Sequence, residues 1–289
     1  MSFSKLTSTF DPKYGFYPGT HRFHHDQVPV EFSQYGRTSY NEIGSGVCWI
    51  VGSKVDMDKR FATLNLTFRG EGPQTIDPGI IFKLKPHPDD CTLPKMQHIC
   101  EEMKLYDKRV FVQFDDKAYA TASVCLSFLD HFDDCKPLVG PVILGLDNWG
   151  PQNTRAFHEK AASMGVCLCY TPENCTDLVA VTDAGLGNEI KRRMVKSYKN
   201  DLESSKERLE AWKSGRVSAS ERRILMTKWL GDAWEDFCGN HQDQITAAFK
   251  RCGMYNALDG SESHLIKLQG YKEEYEISKP KHFDEKFHL

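Results

Sequence analysis

The sequence lacks several patterns that would assign a class of protein at once. Its 289 residues contain no stretch of about eighteen consecutive apolar residues, so we expect no transmembrane helix and no membrane partner. The first ten residues, MSFSKLTSTF, lack a basic segment followed by an apolar core, so no secretory signal is predicted. A Walker phosphate loop, a GxGxxG fingerprint and a GxSxG elbow are also absent, and we expect no small-molecule cofactor.

Paired cysteines at metal-ligand spacing are missing as well. The chain has ten cysteines but no CxxC, and Cys167 and Cys169 stand at the spacing of alternate strand positions rather than of a zinc knuckle. We interpret the scattered cysteines mostly as small buried hydrophobic residues, with a metal or disulfide role as the less favoured alternative. This usage is typical of a reducing compartment, the cytosol or the nucleus.

Neither sign of charge dominates the chain. Lysine and arginine number 37 against 40 aspartates and glutamates, which gives a net charge of −3. Such a balance argues against a protein whose whole surface binds nucleic acid. It still allows a local basic face, because electrostatic steering depends on where the charges lie.

The first third of the chain predicts extended segments. Residues 60–68, RFATLNLTF, alternate between two faces, one of them apolar, as in a half-buried strand. Strands are expected at 21–30, where Pro29 ends the strand, and at 47–53, 60–68 and 79–83. Turn residues between these segments favour antiparallel neighbours.

The remainder alternates between helical and extended patterns. Helices are expected at 93–105, 118–132, 154–164 and 184–210, and strands at 110–114, 141–146 and 166–170. A loop or short turn is expected at 172–182. Ser218 and Glu221 form a capping-box pattern that begins a further helix, and 245–250 is expected to be a short helix.

This order of elements predicts an α/β fold, namely a ribonuclease-H-like mixed sheet with helices on both faces and a helical C-terminal extension. We expect four parts: a flexible N-terminal arm at 1–20, the ribonuclease-H-like domain at 21–210, the extension at 211–270 and a polar tail at 271–289.

Three acids stand where that fold would bring carboxylates together. Asp26 is near the end of the first strand, Asp147 follows the apolar strand, and Asp183 begins the long helix. Cleavage of phosphodiesters with two divalent metal ions requires such a carboxylate cluster, and Mg²⁺ prefers oxygen ligands. Taken singly, each acid is more often a turn former or a helix cap. Their combination favours a metal site.

Five stretches carry a more specific pattern, and they come in a fixed order. They are HHDQVPVEF; DKRFATLNLTF with DPGIIFKLK; LGLDNWGPQNT; YTPENCTDLVAVTDAGLGNEIKRRM; and RRILMTKWLGDAWEDF with AAFKRCGMYNALDGSES. Together they resemble the catalytic domain of DDE-type transposases of the mariner/pogo superfamily, also called DDE superfamily endonucleases. The resemblance covers about residues 21–265.

The resemblance implies that Asp26, Asp147 and Asp183 form the catalytic triad and bind two Mg²⁺ or Mn²⁺ ions. The chain departs from the family pattern at Glu173 and at Val181-Thr182, and neither departure removes a carboxylate. Such transposases usually carry helix-turn-helix domains before the catalytic domain, whereas 25 residues precede Asp26 here. We therefore expect a fragment, a truncated gene product or a domesticated remnant.

A basic stretch begins beside the third acid. Lys191, Arg192, Arg193 and Lys196 are expected to contact DNA phosphates, although a solvated helix face is the more common role of such a run. His24 shares a strand face with Asp26 and is a candidate ligand, with a packed core histidine as the more common alternative.

We therefore expect a nuclear, transposase-derived endonuclease and polynucleotidyl transferase that acts on DNA. The alternative is a catalytically silent remnant that binds nucleic acid. DNA is the expected partner in both cases, and a homodimer is considered as the assembly.

Overall fold

The structure is a computed structural model, and it describes residues 11–15, 17–31, 61–84, 94–136, 140–172, 175–202 and 204–267. The strand expected at 47–53, the departure at Glu173 and the tail at 271–289 lie outside the described residues. Among the described residues, no helix is both long and apolar enough to cross a membrane.

The described residues form a mixed six-stranded sheet with strand order β4-β3-β2-β1-β5-β6. The strands are β1 (Arg22–Glu31), β2 (Phe61–Arg69), β3 (Gly79–Lys83), β4 (Phe111–Asp115), β5 (Val142–Leu146) and β6 (Val166–Tyr170). β2 is antiparallel to both β1 and β3, whereas β1 with β5, β5 with β6 and β3 with β4 are parallel. The arrangement confirms the predicted α/β class and its ribonuclease-H-like mixed sheet.

Helices cover the sheet and extend beyond it. They are α1 (Pro94–Met103), α2 (Ala122–Cys135), α3 (Arg155–Ser163), α4 (Thr176–Val179), α5 (Gly187–Leu202), α6 (Lys206–Lys213), α7 (Ala219–Asn240) and α8 (Gln242–Arg251). α7 begins with the predicted capping box, in which the Ser218 side chain and Glu221 each bond the other's backbone N–H.

Two apolar cores lie on opposite faces of the sheet. On one face, Leu64 and Leu66 of β2 pack in a cluster with Ile190 of α5 and Trp229 of α7. On the other face, a cluster joins β1, β5, α2 and α3; among its members are Phe23, Leu144, Phe128 and Phe157. Because each fully buried Leu or Phe contributes roughly 1.5–3 kcal/mol, these two layers hold the sheet in place between the helices.

Several element boundaries differ from the sequence-based expectation, each for a local reason. α2 begins at Ala122 rather than 118 because Ala118 has a φ of 59°, in the left-handed region, which a right-handed helix does not allow. The long helix expected at 184–210 is interrupted, since α5 ends at Leu202 and the Ser205 side chain caps the start of α6. Pro29 does not end β1, which continues to Glu31.

The cysteines depart in part from the expectation of small buried residues. Cys125 and Cys252 are buried free thiols, whereas Cys167 and Cys169 are exposed on the same face of β6. Cys100 is disulfide-bonded, contrary to the favoured interpretation.

The N-terminal segment packs against the C-terminal one within the described residues. The Tyr14 ring lies 4.7 Å from that of Tyr255, and Lys13 forms an ion pair with Glu262 at 2.8 Å. Arg22, at the start of β1, donates to the backbone carbonyls of Tyr14 and Met254 at 2.8 and 2.9 Å. These contacts fix residues 13 and 14, which lie in the arm predicted at 1–20.

Candidate active site

The register between β1 and β5 places two of the predicted acids side by side. His25 of β1 is paired with Leu146 of β5, and Asp26 and Asp147 are the next residues along these two parallel strands. Neighbouring strands lie about 4.8 Å apart. Asp26 and Asp147 are therefore neighbours at the point where β5 ends, although Asp26 itself lies within β1 rather than near its end as predicted.

The third acid lies on a helical turn, Thr182–Leu186, which packs on the same face of β1 as Asp26. His24, Asp26 and Val28 share this face by strand alternation. Thr182 Oγ1 is 3.3 Å from His24 Nδ1, and a Cβ built on Gly187 would lie 3.3 Å from Val28 Cγ2. The turn thus brings Asp183 to the face from which the Asp26 side chain projects.

The pKa of Asp26 reflects its burial and the nearby acids. Its side chain is buried, with 8 % of the residue exposed. The pKa of Asp26 is raised to about 7, chiefly by burial and next by the negative charge of Asp183. A hydrogen bond from the Gln27 backbone N–H opposes this shift, and the charge of Asp147 makes a smaller upward contribution to it. Asp183 and Asp147 therefore both lie close enough to Asp26 to influence its ionisation.

Asp147 is oriented by two hydrogen bonds. Its Oδ1 accepts from the Thr176 hydroxyl at 2.7 Å and from the Asn148 backbone N–H at 2.8 Å. Asp147 is half-buried, and Asp183 is exposed on its turn. The role of Thr176 did not emerge from sequence reasoning, although the residue lies within one of the motif stretches.

The two histidines before Asp26 occupy opposite faces of β1. His25 stacks on Phe128 at 3.8 Å, its Nδ1 lies 2.9 Å from Thr67 Oγ1, and burial lowers its pKa to about 3. His25 is therefore a packed core residue. His24 is buried on the Asp26 face, and burial lowers its pKa to about 4, so its ring is neutral near pH 7.

The chemistry of the three acids fits hard divalent cations. Oxygen ligands suit Mg²⁺ and Mn²⁺, and a cation would relieve the repulsion that raises the pKa of Asp26. Across residues 11–267 with the gaps given above, however, no three His, Cys, Asp or Glu side chains stand in an arrangement that could already hold an ion. The residues are thus gathered without being in coordination geometry.

The basic residues of α5 divide into two groups. Arg193 is 8 % exposed; its guanidinium pairs with Asp236 at 2.9 Å and with Glu189, and it lies 4.8 Å from the Phe237 ring. Arg192 is exposed and pairs with Glu189 at 2.8 Å. Lys196 is exposed, and Lys191 is half-buried with interactions of its own. The prediction that these four residues contact DNA stays a prediction.

A cavity of about 590 Å³ lies beside Asp183, between the Thr182–Leu186 turn and α8. Its lining includes three cations, Lys250, Arg251 and Lys267, and one acid, Glu189. Arg251 donates a hydrogen bond to the Ala184 carbonyl, next to Asp183 in the chain. Positive charge therefore borders the carboxylate site, a feature that sequence reasoning missed because residues 184 and 251 are far apart in the chain.

Comparison with known proteins yields similarities to solved structures alone. No protein-family model matches the chain, and no curated protein matches it in sequence. A Mos1 transposase paired-end complex with left transposon end is 12 % identical, with a TM-score of 0.38, over 82 % of this chain and 56 % of that chain. The Mos1 strand transfer complex is 14 % identical, with a TM-score of 0.36, over 77 % and 55 %. A pre-cleavage Mos1 transpososome is 14 % identical, with a TM-score of 0.31, over 78 % and 56 %. The chain spans about half the length of these transposase chains.

Proposed function

We propose that this chain is a transposase-derived, metal-dependent DNA endonuclease and polynucleotidyl transferase domain. The observation that supports the proposal is the proximity of Asp147 and Asp183 to Asp26, whose pKa is raised to about 7 mainly by burial and also by these two acids. A buried carboxylate kept next to two others is costly unless a cation neutralises them.

In this proposal, the acids and the basic residues of the chain have separate roles. Asp26 is held within β1, Asp147 directly follows β5, and Thr176 fixes the orientation of Asp147. Arg251 and Lys267 offer positive charge to phosphates of the bound strand, whereas Lys250 is paired with Glu262 at 3.0 Å. Two bound Mg²⁺ or Mn²⁺ ions would supply an activated water and stabilise the leaving oxygen. Hydrolysis adds water across a P–O bond and leaves a 3′-hydroxyl, which can then attack a phosphodiester of a second DNA.

A catalytically silent DNA-binding remnant is the second candidate. It is favoured by the side-chain positions, because within the described part of the chain the carboxylates are not in coordination geometry. The two candidates share the DNA partner and differ in turnover.

Nicking of supercoiled plasmid DNA in Mn²⁺ or Mg²⁺ tests the proposal. We expect the wild-type chain to nick, Asp147→Asn to lose nicking because it removes an oxygen ligand's charge, and Thr176→Val to be slower by about 10- to 100-fold because it removes the group that orients Asp147. Asp130→Asn is the matched control, since Asp130 is a surface acid paired with Lys160 and outside the site.

Two results would contradict the enzymatic assignment. One is an absence of metal-dependent nicking in a folded wild-type chain that binds DNA, which selects the silent remnant. The other is equal nicking by the wild type and Asp147→Asn, which would show that the activity arises elsewhere.

A further inference from the structure

Two aromatic rings are exposed beside the carboxylate site. Among the described residues, the exposed large hydrophobic side chains are Met103, Leu105, Tyr119, Trp149 and Leu258. Of these, only Tyr119 and Trp149 are aromatic, with 62 % and 49 % of their surfaces exposed. Trp149 follows Asp147 by two residues, and its indole N–H donates to the carbonyl of Ala120, the residue after Tyr119, at 3.3 Å. The segments that carry the two rings therefore lie against each other, and Trp149 is two residues from Asp147 in the chain.

Both residues are held in place although their rings are exposed. The Trp149 backbone N–H donates to the Asp147 carbonyl at 2.8 Å, and the short helical turn Gly150–Gln152 follows directly. The Tyr119 backbone N–H donates to Asp115 Oδ1 at 3.1 Å, and the carbonyl of buried Ala118 accepts from Thr63 Oγ1 at 2.8 Å. Ordered elements thus present these rings to solvent.

A single exposed apolar residue is common on protein surfaces and requires no explanation. This pair differs from the other exposed apolar residues in its position near Asp147. Two residues span at most about 7 Å, so Trp149 lies within that distance of the Asp147 backbone. Exposed Lys117 lies in the same loop as Tyr119, while the Asp115 carboxylate there already accepts two backbone N–H groups. The surface therefore combines flat aromatic rings with an exposed cation.

We propose that Trp149, together with Tyr119, forms a stacking surface for an unpaired DNA base next to the phosphodiester held at Asp147. The inference rests on the proposed function in taking DNA as the substrate. A base inside a duplex is already stacked on both sides, so an exposed indole can receive only a base that is frayed, mismatched or single-stranded. Stacking on an aromatic side chain strengthens binding by about 5- to 150-fold per base. The site would accordingly prefer DNA with unpaired bases at the scissile position over a perfect duplex.

Binding measurements without metal separate this inference from catalysis. Fluorescence anisotropy of labelled single-stranded and duplex oligonucleotides, in EDTA and at several salt concentrations, gives both the affinity and the salt slope. We expect Trp149→Ala to weaken single-strand binding by about 5- to 150-fold. Duplex affinity should change by less than about twofold, with the same salt slope, because phosphate contacts are retained. Trp149→Phe should keep most of the affinity, because it keeps an aromatic ring.

Two further variants sharpen the comparison. Tyr119→Ala should weaken single-strand binding in the same direction as Trp149→Ala, whereas Leu258→Ala removes an equally exposed apolar side chain elsewhere and should change nothing. Thermal melting of each variant shows that it is folded. If Trp149→Ala does not fold, the comparison of Trp149→Phe with Tyr119→Ala decides the matter.

The outcomes distinguish the inference from the proposed function. Unchanged single-strand affinity in Trp149→Ala and Tyr119→Ala, with a wild type that binds and nicks DNA, overturns the stacking surface alone. A wild type that binds neither single-stranded nor duplex DNA overturns the proposed function. A change of oligomeric state in Trp149→Ala, seen by size-exclusion chromatography, would show that the rings form a contact between copies of the chain and would also overturn the inference.

Discussion

At the scale of single residues, Asp26 links the architecture of the site to pH. Its pKa of about 7 in the folded chain stands above the value of 3.8 for an unperturbed aspartate, mainly because of burial and then because of Asp183. A folded-state pKa raised in this way means that Asp26 favours folding most below about pH 4. That contribution is lost as pH rises through about 7, where the carboxyl ionises in the folded state.

Replacing Asp26 with asparagine should therefore stabilise the metal-free protein in alkaline solution. We expect Asp26→Asn to raise the melting temperature relative to wild type at pH 8, by an amount equivalent to roughly 1–4 kcal/mol, and to change it much less at pH 5. Comparing the two proteins at each pH removes the contributions of other titrating groups, such as Glu262, whose pKa is lowered to about 2. A variant that is less stable than wild type at pH 8 would contradict the raised pKa of Asp26.

The position of Asp147 directly after β5 could be predicted from the sequence, because it follows a strong apolar run, whereas Asp26 lies within β1 and Asp183 lies on the turn before α5. Thr176 and Arg251 could not be assigned roles in the same way, since their partners Asp147 and Ala184 are 29 and 67 positions away in the chain. Such contacts depend on packing between elements, which hydrophobic periodicity does not report.

At the scale of elements, the two faces of α5 serve different purposes. Arg193 points toward α7, where it pairs with Asp236 and packs on Phe237, whereas Lys196 is exposed. One residue of the basic run, Arg193, thus joins α5 to α7. The sequence does not distinguish it from the exposed basic residues of the same helix.

Substitutions should separate the two roles of α5. Arg193→Ala should lower the stability by about 1–2 kcal/mol, because it removes packing and leaves Asp236 unpaired. Lys196→Ala should leave the melting temperature unchanged and reduce the slope of DNA affinity against salt by up to about one unit. Melting curves and salt titrations of both variants provide the check, and a flatter salt slope with unchanged melting in Arg193→Ala would contradict the assignment.

The bounds of a helix or strand could be predicted where a single sequence pattern determined them. β6 begins and ends at Val166 and Tyr170, as its apolar run indicated, whereas β2 forms at the predicted place but is buried on both faces, including the polar Thr63, Asn65 and Thr67. The interruption after Leu202 was missed because Glu, Lys and Arg favour a helix on both sides of it, whereas the deciding contact is the cap that Ser205 supplies to Arg208.

At the scale of the whole molecule, we expect the stability of the fold to respond to divalent cations that bind near Asp26, Asp147 and Asp183. A ligand that binds only the folded state stabilises it by about 2.7 kcal/mol at one hundred times its dissociation constant. We expect millimolar Mn²⁺ to raise the melting temperature by several degrees in the wild type and in Asp130→Asn, and by much less in Asp147→Asn. An unchanged melting curve for the wild type would count against a metal site that can form.

The pairing of His25 with Leu146 has a consequence for how this domain tolerates changes in its gene. Strand side chains alternate, so one residue inserted into or deleted from the start of β1 would exchange the faces of His25 and Asp26. The imidazole would then stand beside Asp183, and the carboxylate would be driven into the core against Phe128. Point substitutions at Phe23 or His24 alter packing at one position. A three-nucleotide insertion or deletion there would both remove the carboxylate from the site and place a charged group in the apolar core. The proposed activity would therefore depend on the length of this strand as strongly as on the identity of its acid.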